Sequence, residues 1–343
     1  MRKSIRKGVI RKSVESLDDL FQTFLSIKRA EGRAETTMQQ YRDNFSFFME
    51  FLEIHDIEPV IYEINRTVIR EYVTYMREDW VRFDGHRFKS EKEKTVGLKP
   101  STINTRLKTL RVLFKCLYEE ELIETNPAQG VSGVREPQER IEILTTDELK
   151  RLLRVLDKRS YSEFRDYVLI NLLIDGMARI SETINLKIED FDFNGKTFTI
   201  PATIAKSRKA RTVPIEQRTA RLIKELNAEN KKDFETDYIF LTVYGEKISG
   251  DHFRKRLNDY AKRAGIRKNI HPHLFRHTAA TMFLENGGDI RHLQMLLGHA
   301  DMRVVMRYTH LSNNSLRKQH DQFAAINQVI DKRSLPRKIK RKI

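Results

Sequence analysis

Residues 273–308 read HLFRHTAATMFLENGGDIRHLQMLLGHADMRVVMRY, and the glycines in this stretch divide it into short helices. Apolar residues recur at helical spacing, the first run is followed by Gly287-Gly288, and the second is followed by Gly298. We therefore predict three helices: one over about 273–286, one over about 290–297, and one that leads into Tyr308.

The residues before this stretch predict a mixed domain. Thr145 and Glu148 have the spacing of a capping box ahead of an apolar helix, so we expect a domain to begin at residue 145. Residues 191–200 predict a hairpin that turns at Asn194-Gly195. The remaining predicted elements are an apolar helix near 163–175, strands at 211–214 and 238–241, and helices near 249–264 and 313–330. The predicted fold class is mainly α with a small antiparallel β-sheet in this second domain.

The first part of the chain is predicted to be helical throughout. Four apolar patterns at helical spacing occur between residues 13 and 123, and their aromatic residues are expected to form a core. Residues 80–100 are polar and predict a long loop between the third and fourth helices. The expected divisions are a basic segment at 1–12, a helical domain at 13–128, a linker at 129–144, a mixed domain at 145–330 and a basic tail at 331–343.

Composition points to a polyanionic partner. The chain has 343 residues, and 64 Lys and Arg against 48 Asp and Glu leave a net charge of +16. This charge balance favours nucleic acid as the binding partner first and an acidic membrane second. The ordinary alternative is a well-solvated surface that binds neither. The single cysteine, Cys116, excludes a disulfide framework and a zinc finger and is expected to be a buried thiol. With neither a signal peptide nor an apolar span, we expect a cytoplasmic protein that does not enter a membrane.

Six residues carry the chemistry that the sequence suggests. They are, in order, Arg179, Lys206, His273, Arg276, His299 and Tyr308. Arginines bind phosphate oxygens in bidentate fashion, tyrosine can act as a covalent nucleophile, and histidine and lysine can move protons. Each residue alone also has an ordinary explanation, such as a surface arginine, a solvated turn lysine or a core tyrosine. Lys206 could act as the general acid that protonates the departing 5′ oxygen, and Lys209 is a nearby rival for that role.

The local setting suggests a role for each of these residues. His273 and Arg276 are three residues apart on one predicted helix and share a face, so His273 could shuttle the proton of the tyrosine. His277 is predicted to point off that face and to be structural. Glu182 is expected to orient Arg179, and His299 to donate a hydrogen bond to a phosphate oxygen.

The ordered set of six resembles the tyrosine recombinase (phage integrase) family. The surrounding residues 286–301 are also similar to the family pattern, and residues 13–128 look like its core-binding domain. The resemblance assigns Arg179 and Arg276 to the phosphate clamp, Lys206 to a hairpin and Tyr308 to the nucleophile. One departure is visible, because the family usually has glycine two residues before the first arginine and here Gly176 is three before it. We therefore expect the turn before Arg179 to differ locally.

The family resemblance implies a two-domain DNA clamp that recombines DNA at specific sites. Tyr308 would attack the scissile phosphate to give a 3′-phosphotyrosine, and strands would be exchanged through a Holliday junction without a cofactor or a metal ion. Integration, excision, transposition and resolution are all compatible uses. The implied partners are double-stranded DNA with inverted-repeat core sites and three further copies of the chain in a homo-tetramer, with the last helix packed on a neighbour.

Two other functions use similar residues. A type IB topoisomerase would religate the original strand, and a DNA-binding regulator would use the scaffold without chemistry. A metal-dependent nuclease is disfavoured, because no cluster of carboxylates lies near the basic set in the sequence.

Overall fold

The computed structural model describes residues 16–82, 95–136, 142–298, 302–306, 308, 320 and 324. The chain folds as two compact units, and the boundary between them falls at residues 138–139. The predictions for the basic ends at 1–12 and 331–343 lie outside the described residues. The predicted helix near 313–330 also lies outside them, apart from the single residues His320 and Ala324.

The first unit contains the four predicted helices. Their bounds are α1 Leu17–Ala30, α2 Glu35–Ile54, α3 Arg66–Thr74 and α4 Pro100–Glu119, with a π-helical turn at Tyr75–Asp79 directly after α3. The Ser16 hydroxyl accepts a hydrogen bond from the backbone N–H of Asp19, and Asn65 caps α3 in the same way. These caps satisfy N–H groups that the first turn of a helix leaves without a partner.

Aromatic side chains form the core of this unit, as predicted. Phe24, Phe48 and Tyr72 have essentially no exposed surface, and the rings of Phe21 and Phe45 stack with centroids 3.8 Å apart. The thiol of Cys116 is buried, as the sequence predicts. Among the described residues, none of the helices is both long and apolar enough to cross a bilayer.

The second unit is helical around one small sheet. Its helices are α5 Thr146–Arg154, α6 Tyr161–Asp175, α7 Ile180–Thr183, α8 Gln217–Asp233, α9 Gly250–Arg263, α10 Pro272–Glu285, α11 Ile290–Leu297 and α12 Met302–Met306. A 3₁₀ turn at Ile188–Asp190 leads into the strands β1 Phe191–Asp192, β2 Thr197–Ile200 and β3 Arg211–Pro214. The predicted fold class, mainly α with a small antiparallel sheet, is therefore confirmed.

The sheet has the order β1-β2-β3 with both pairs antiparallel. The hairpin turns at Asn194-Gly195 as predicted, but the turn is held by the carboxylate of Asp192, which accepts hydrogen bonds from both backbone N–H groups. The residue with a left-handed backbone is Lys196, with φ of 51°. This connection is therefore a four-residue loop rather than the two-residue turn that an Asn-Gly pair most often forms.

Two secondary-structure predictions need correction. Residues 238–241 do not form a strand, because Tyr238 and Leu241 make only isolated bridges, with Lys187 and Lys247 respectively. Ile239, Phe240 and Leu241 are nevertheless fully buried, so they fill the core without an extended ladder. Helix α8 was not predicted, although Ala220, Ile223 and Leu226 mark a buried stripe at helical spacing.

The apolar helix α6 lies at the centre of the second unit. It is buried along most of its length, and both α8 and α10 pack against it. A buried ion pair joins Arg165 to Asp166, whose other oxygen accepts hydrogen bonds from Arg256 and from the Tyr260 hydroxyl on α9. The chain leaves α6 at Gly176, and α10 runs beside it, so residues from both helices meet at one end.

Candidate active site

Arg179 occupies the N-cap position of the short helix α7. Its guanidinium donates to Oε1 of Glu182 at 3.0 Å, and its backbone N–H donates to Oε2 of the same carboxylate at 3.1 Å. Glu182 therefore orients Arg179 through both its side chain and its backbone, as the spacing of the two residues predicts.

The turn before Arg179 departs from the family pattern in an informative way. Gly176 ends α6 with an ordinary helical backbone, and a Cβ added there would lie 2.7 Å from the ring of Phe198. The left-handed residue is Met177, with φ of 48°, two residues before Arg179, where the family usually has glycine. A left-handed backbone costs a residue other than glycine about 1–2 kcal/mol. The position where the family usually has glycine is therefore left-handed in this chain, although a methionine occupies it.

Glu182 joins three segments of the site. It is fully buried, and besides Arg179 it accepts hydrogen bonds from Arg211, with Nη2 2.6 Å from Oε2, and from the backbone N–H of Lys206 at 3.2 Å. Burial by itself raises the pKa of this carboxyl group, but hydrogen bonds and charge from Arg211 and Arg179 outweigh it and lower the pKa to about 2. Glu182 is thus ionised at neutral pH and holds two arginines at fixed positions.

Arg211 was not among the residues singled out from the sequence. It begins β3, and its side chain is about nine-tenths buried. Its aliphatic stem lies against Gly298, where an added Cβ would be 2.9 Å from Cδ of Arg211. The available signal for Arg211 was its position directly after the loop that carries Lys206 and Lys209, but its contact with Glu182 spans 29 residues and depends on the fold.

Lys206 lies in the connection between β2 and β3, as predicted, and its side chain is exposed. The bond from its backbone to Glu182 fixes where the side chain begins, while the long stem leaves the ammonium group free to reach a substrate. Lys209 is exposed on the same loop, and the carbonyl of Lys209 accepts a hydrogen bond from the Ser207 hydroxyl at 3.5 Å.

His273 stands in the first turn of α10 among cationic side chains. Part of its ring is covered, and this desolvation, followed by the charges of Arg276, His271, Arg179 and Lys206, lowers the pKa of the imidazole below its ordinary value. His273 is therefore mainly neutral at neutral pH. The same charges show that Arg179, Lys206, His273 and Arg276 converge on one part of the second unit.

Arg276 is buried with only 3% of its surface exposed. Its two terminal nitrogens donate to the carbonyls of Met177 and Leu297, each at 2.6 Å. Burial, and then repulsion from Arg179, lower the pKa of Arg276 to about 9, so the guanidinium still carries its charge at neutral pH. Arg276 thus ties the turn before Arg179 to the end of α11.

The hydroxyl of Tyr308 lies 2.8 Å from Nδ1 of His277. The tyrosine is 4% exposed and packs in an apolar cluster with Met177, Ala279, Ala280, Leu293, Leu297 and Val305. The prediction that His277 points away from the site is wrong. Residues four apart on a helix share a face, so the spacing of His273 and His277 was the signal that could have identified His277.

The predicted site residue His299 lies outside the described residues. Gly298, which directly precedes it, ends α11 in the left-handed conformation with φ of 61°, and its backbone N–H donates to the Met295 carbonyl at 3.1 Å. In the described part of the chain, no group of three His, Cys, Asp or Glu side chains is arranged to hold a metal ion.

Comparison with known proteins shows which class of protein this chain belongs to. The sequence profile of the phage integrase family matches residues 142–315, and that of the phage integrase SAM-like domain matches residues 16–133. Tyrosine recombinase XerC of Staphylococcus epidermidis is 28% identical over 307 residues, which cover 88% of this chain and 96% of the relative. XerC of Thermodesulfovibrio yellowstonii is 28% identical over 304 residues, covering 86% and 92%.

Two solved structures share the fold. The Tn1549 transposon integrase in complex with transposon right end DNA has a TM-score of 0.68 at 18% identity, covering 91% of this chain and 100% of the other. XerH bound to a palindromic difH substrate has a TM-score of 0.66 at 20% identity, covering 91% and 85%.

The chain belongs to the phage integrase family, and it is a site-specific DNA recombinase of the tyrosine recombinase class. The relatives described above are recombinases and integrases, and they give no support to the topoisomerase alternative.

Proposed function

We propose that Tyr308 is the nucleophile of strand cleavage and that Arg179 and Arg276 hold the scissile phosphate. The tyrosine oxygen forms a bond to phosphorus while the bond to the 5′ oxygen breaks, and Lys206 gives that oxygen its proton. A 5′ hydroxyl of a second duplex then attacks the 3′-phosphotyrosine, and a Holliday junction forms. His273 and His299 contribute hydrogen bonds to the phosphate oxygens.

The observation that carries this proposal is the convergence of charge on the tyrosine. Arg276 lies close enough to both Tyr308 and Arg179 to interact with them electrostatically, and both arginines are fixed by hydrogen bonds to the protein. Cations fixed in a water-poor site stabilise the charge of a phosphoryl transfer without reorganising during the reaction. Two guanidinium groups can thus supply the charge that a metal ion supplies in other enzymes.

We also propose the partners that the sequence suggests. The XerH structure contains a difH substrate and another neighbour, lambda integrase, is bound to a core site, which supports duplex DNA with inverted-repeat core sites as the substrate here. Residues 13–128 would bind this DNA and residues 145–330 would also carry the chemistry. Four copies would act together on two synapsed duplexes in the cytoplasm.

The test is a covalent trap. In a duplex nicked close to the cleavage position, attack by the enzyme releases a short fragment that carries the new 5′ hydroxyl. Because that hydroxyl is lost, the reaction cannot reverse, and the enzyme stays linked to DNA on a denaturing gel. We expect the wild-type protein to form the adduct, and Tyr308→Phe to bind the DNA but form none. Tyr244→Phe is the matched control, because Tyr244 is 86% exposed at a turn, and it should behave as wild type. An adduct with Tyr308→Phe would disprove the assignment.

A further inference from the structure

The imidazole that contacts the proposed nucleophile is His277 rather than His273. Nδ1 of His277 lies 2.8 Å from the Tyr308 hydroxyl, within the range of a hydrogen bond, and the two ring centroids are 5.6 Å apart. In the described part of the chain the side chain of His273 makes no hydrogen bond, and the charges that act on it are those of nearby basic residues. The two histidines are therefore placed for different tasks.

We propose that His277 accepts the phenolic proton of Tyr308 as the tyrosine attacks the phosphate. This inference rests on the proposed function, in which Tyr308 is the nucleophile. A phenol has an ordinary pKa of about 10, so at neutral pH it needs a base to attack efficiently. Nδ1 of a neutral imidazole has a lone pair in the plane of the ring and can take the proton, provided that Nε2 carries the hydrogen.

The proton inventory balances over the reaction. In cleavage the O–H bond of Tyr308 breaks, an N–H bond forms on His277, and Lys206 loses a proton to the 5′ oxygen. In strand transfer the incoming 5′ hydroxyl returns a proton to Lys206, and the imidazolium of His277 returns one to the departing tyrosine oxygen. His277 and Lys206 thus end each cycle in the protonation states in which they began it, and no external acid or base is consumed.

Packing fixes the geometry that a proton acceptor needs. Tyr308 belongs to a buried apolar cluster that includes Met177, Leu297 and Val305, and its hydroxyl contacts His277 on α10. The next residue of α10, Thr278, is buried, and its hydroxyl accepts a hydrogen bond from the backbone N–H of Leu144 at 2.9 Å. The base and the nucleophile are therefore already in hydrogen-bond contact before the reaction begins.

Two substitutions separate proton transfer from positioning. His277→Ala removes the ring, whereas His277→Asn keeps an oxygen acceptor near the position of Nδ1 but cannot take a proton at neutral pH. With the nicked trap substrate in single turnover, we expect both variants to cleave about 10²–10⁴-fold more slowly than wild type, the usual contribution of a general base. His292→Ala, an exposed histidine on α11, should cleave at the wild-type rate. Melting curves of all variants would report folding.

A more acidic nucleophile provides the decisive measurement. A difluorinated tyrosine at position 308 loses its proton more readily, so it should restore most of the lost rate to both His277 variants while changing the wild-type rate little. A wild-type or faster rate in His277→Ala would overturn the proposal, and a faster rate would show that His277 restrains the tyrosine instead. If the fluorinated tyrosine does not speed up the slow His277 variants, His277 has only a positioning role and the proposal is overturned. His273→Ala is measured in parallel, and if it is the only variant that the fluorinated tyrosine rescues, the base is His273.

The same experiment separates this inference from the proposed function. If the wild-type protein forms no adduct through Tyr308, the nucleophile is wrong and the role of His277 falls with it. If the adduct forms through Tyr308 and its rate of formation does not change in the His277 variants, only the inference about His277 is overturned.

Discussion

Glu182 holds the site together although it is not proposed to take part in the chemistry. Its two carboxylate oxygens bind Arg179, Arg211 and the backbone of Lys206, and it is completely buried. A buried carboxylate that satisfies several donors is costly to replace, because each donor is then left desolvated without its partner. The carboxylate therefore matters for the position of the cations and for the stability of the second unit.

Replacing this carboxylate with an amide is expected to destabilise the protein. Glu182→Gln keeps the shape but removes the charge that compensates two buried arginines, so the free energy of unfolding should fall by about 3–5 kcal/mol in urea titrations, and DNA cleavage should slow. Glu189 has an exposed carboxylate close by in the sequence, so Glu189→Gln should change the free energy of unfolding by less than about 0.5 kcal/mol. Equal stability of Glu182→Gln and wild type would show that the network contributes little.

The same carboxylate predicts a dependence on pH. Its pKa in the folded protein is about 2, below the ordinary value of 4.5, so the unfolded chain binds the proton more readily. Its contribution to stability is therefore complete above about pH 4.5 and is lost as the pH falls towards 2. The difference in unfolding free energy between wild type and Glu182→Gln should shrink over this range, and a difference that stays constant between pH 6 and 3, or grows on acidification, would contradict the assignment.

At the scale of residues, the sequence identified groups by chemistry and order, and it missed contacts made by folding. Arg179 and Glu182 are three residues apart, so their pairing could be predicted from helical spacing. The contact between His277 and Tyr308 spans 31 residues and depends on how α10 and the following segments pack. Such long-range contacts become visible only in the structure.

The turn between α6 and α7 makes a prediction about an element. Met177 is buried in the cluster around Tyr308 and has a left-handed backbone. Met177→Ala loses the side chain and keeps the strain, whereas Met177→Gly loses the side chain and relieves the strain. We therefore expect both variants to be less stable than wild type, but the glycine variant to be more stable than the alanine variant by about 1 kcal/mol. Urea unfolding measures this order, and the opposite order would show that the turn is unstrained.

The connection between β2 and β3 makes a prediction about proton donation. Lys206→Ala should slow cleavage of ordinary DNA but spare a substrate with sulfur in place of the 5′ bridging oxygen, because a thiolate leaves without a proton. Lys209→Ala, on the same exposed loop, should be close to wild type on both substrates. Cleavage rates of the two variants on the paired substrates are the measurement. Rescue of Lys209→Ala by sulfur, or failure to rescue Lys206→Ala, would assign the acid elsewhere.

Elements were predictable where a local signal marks their ends. The capping box of Thr145 and Glu148 forms as expected, and Gly298 ends α11 in the left-handed conformation. Residues 238–241 lacked such a signal, because their extended appearance comes from apolar side chains that fill a core between segments from elsewhere in the chain. The composition of a short apolar run does not distinguish these two environments.

At the scale of the whole molecule, composition and order of motifs already suggested a DNA-processing enzyme. The net charge of +16 suits a polyanionic partner, and the two family profiles match separate parts of the chain, 16–133 and 142–315. The mainly helical fold with its small sheet agrees with this assignment. What composition could not supply is the arrangement of the second unit, in which α6, α7, α10 and the β2–β3 connection meet.

The proposed mechanism depends on a covalent bond between Tyr308 and the 3′ end of the cleaved strand. The adduct trapped on the nicked duplex can be digested with protease and nuclease and analysed by mass spectrometry. We expect one modified peptide, in which the Tyr308 oxygen carries a nucleotide through its 3′ phosphate. A nucleotide on any other residue, or a linkage through a 5′ phosphate, would show that this mechanism is wrong.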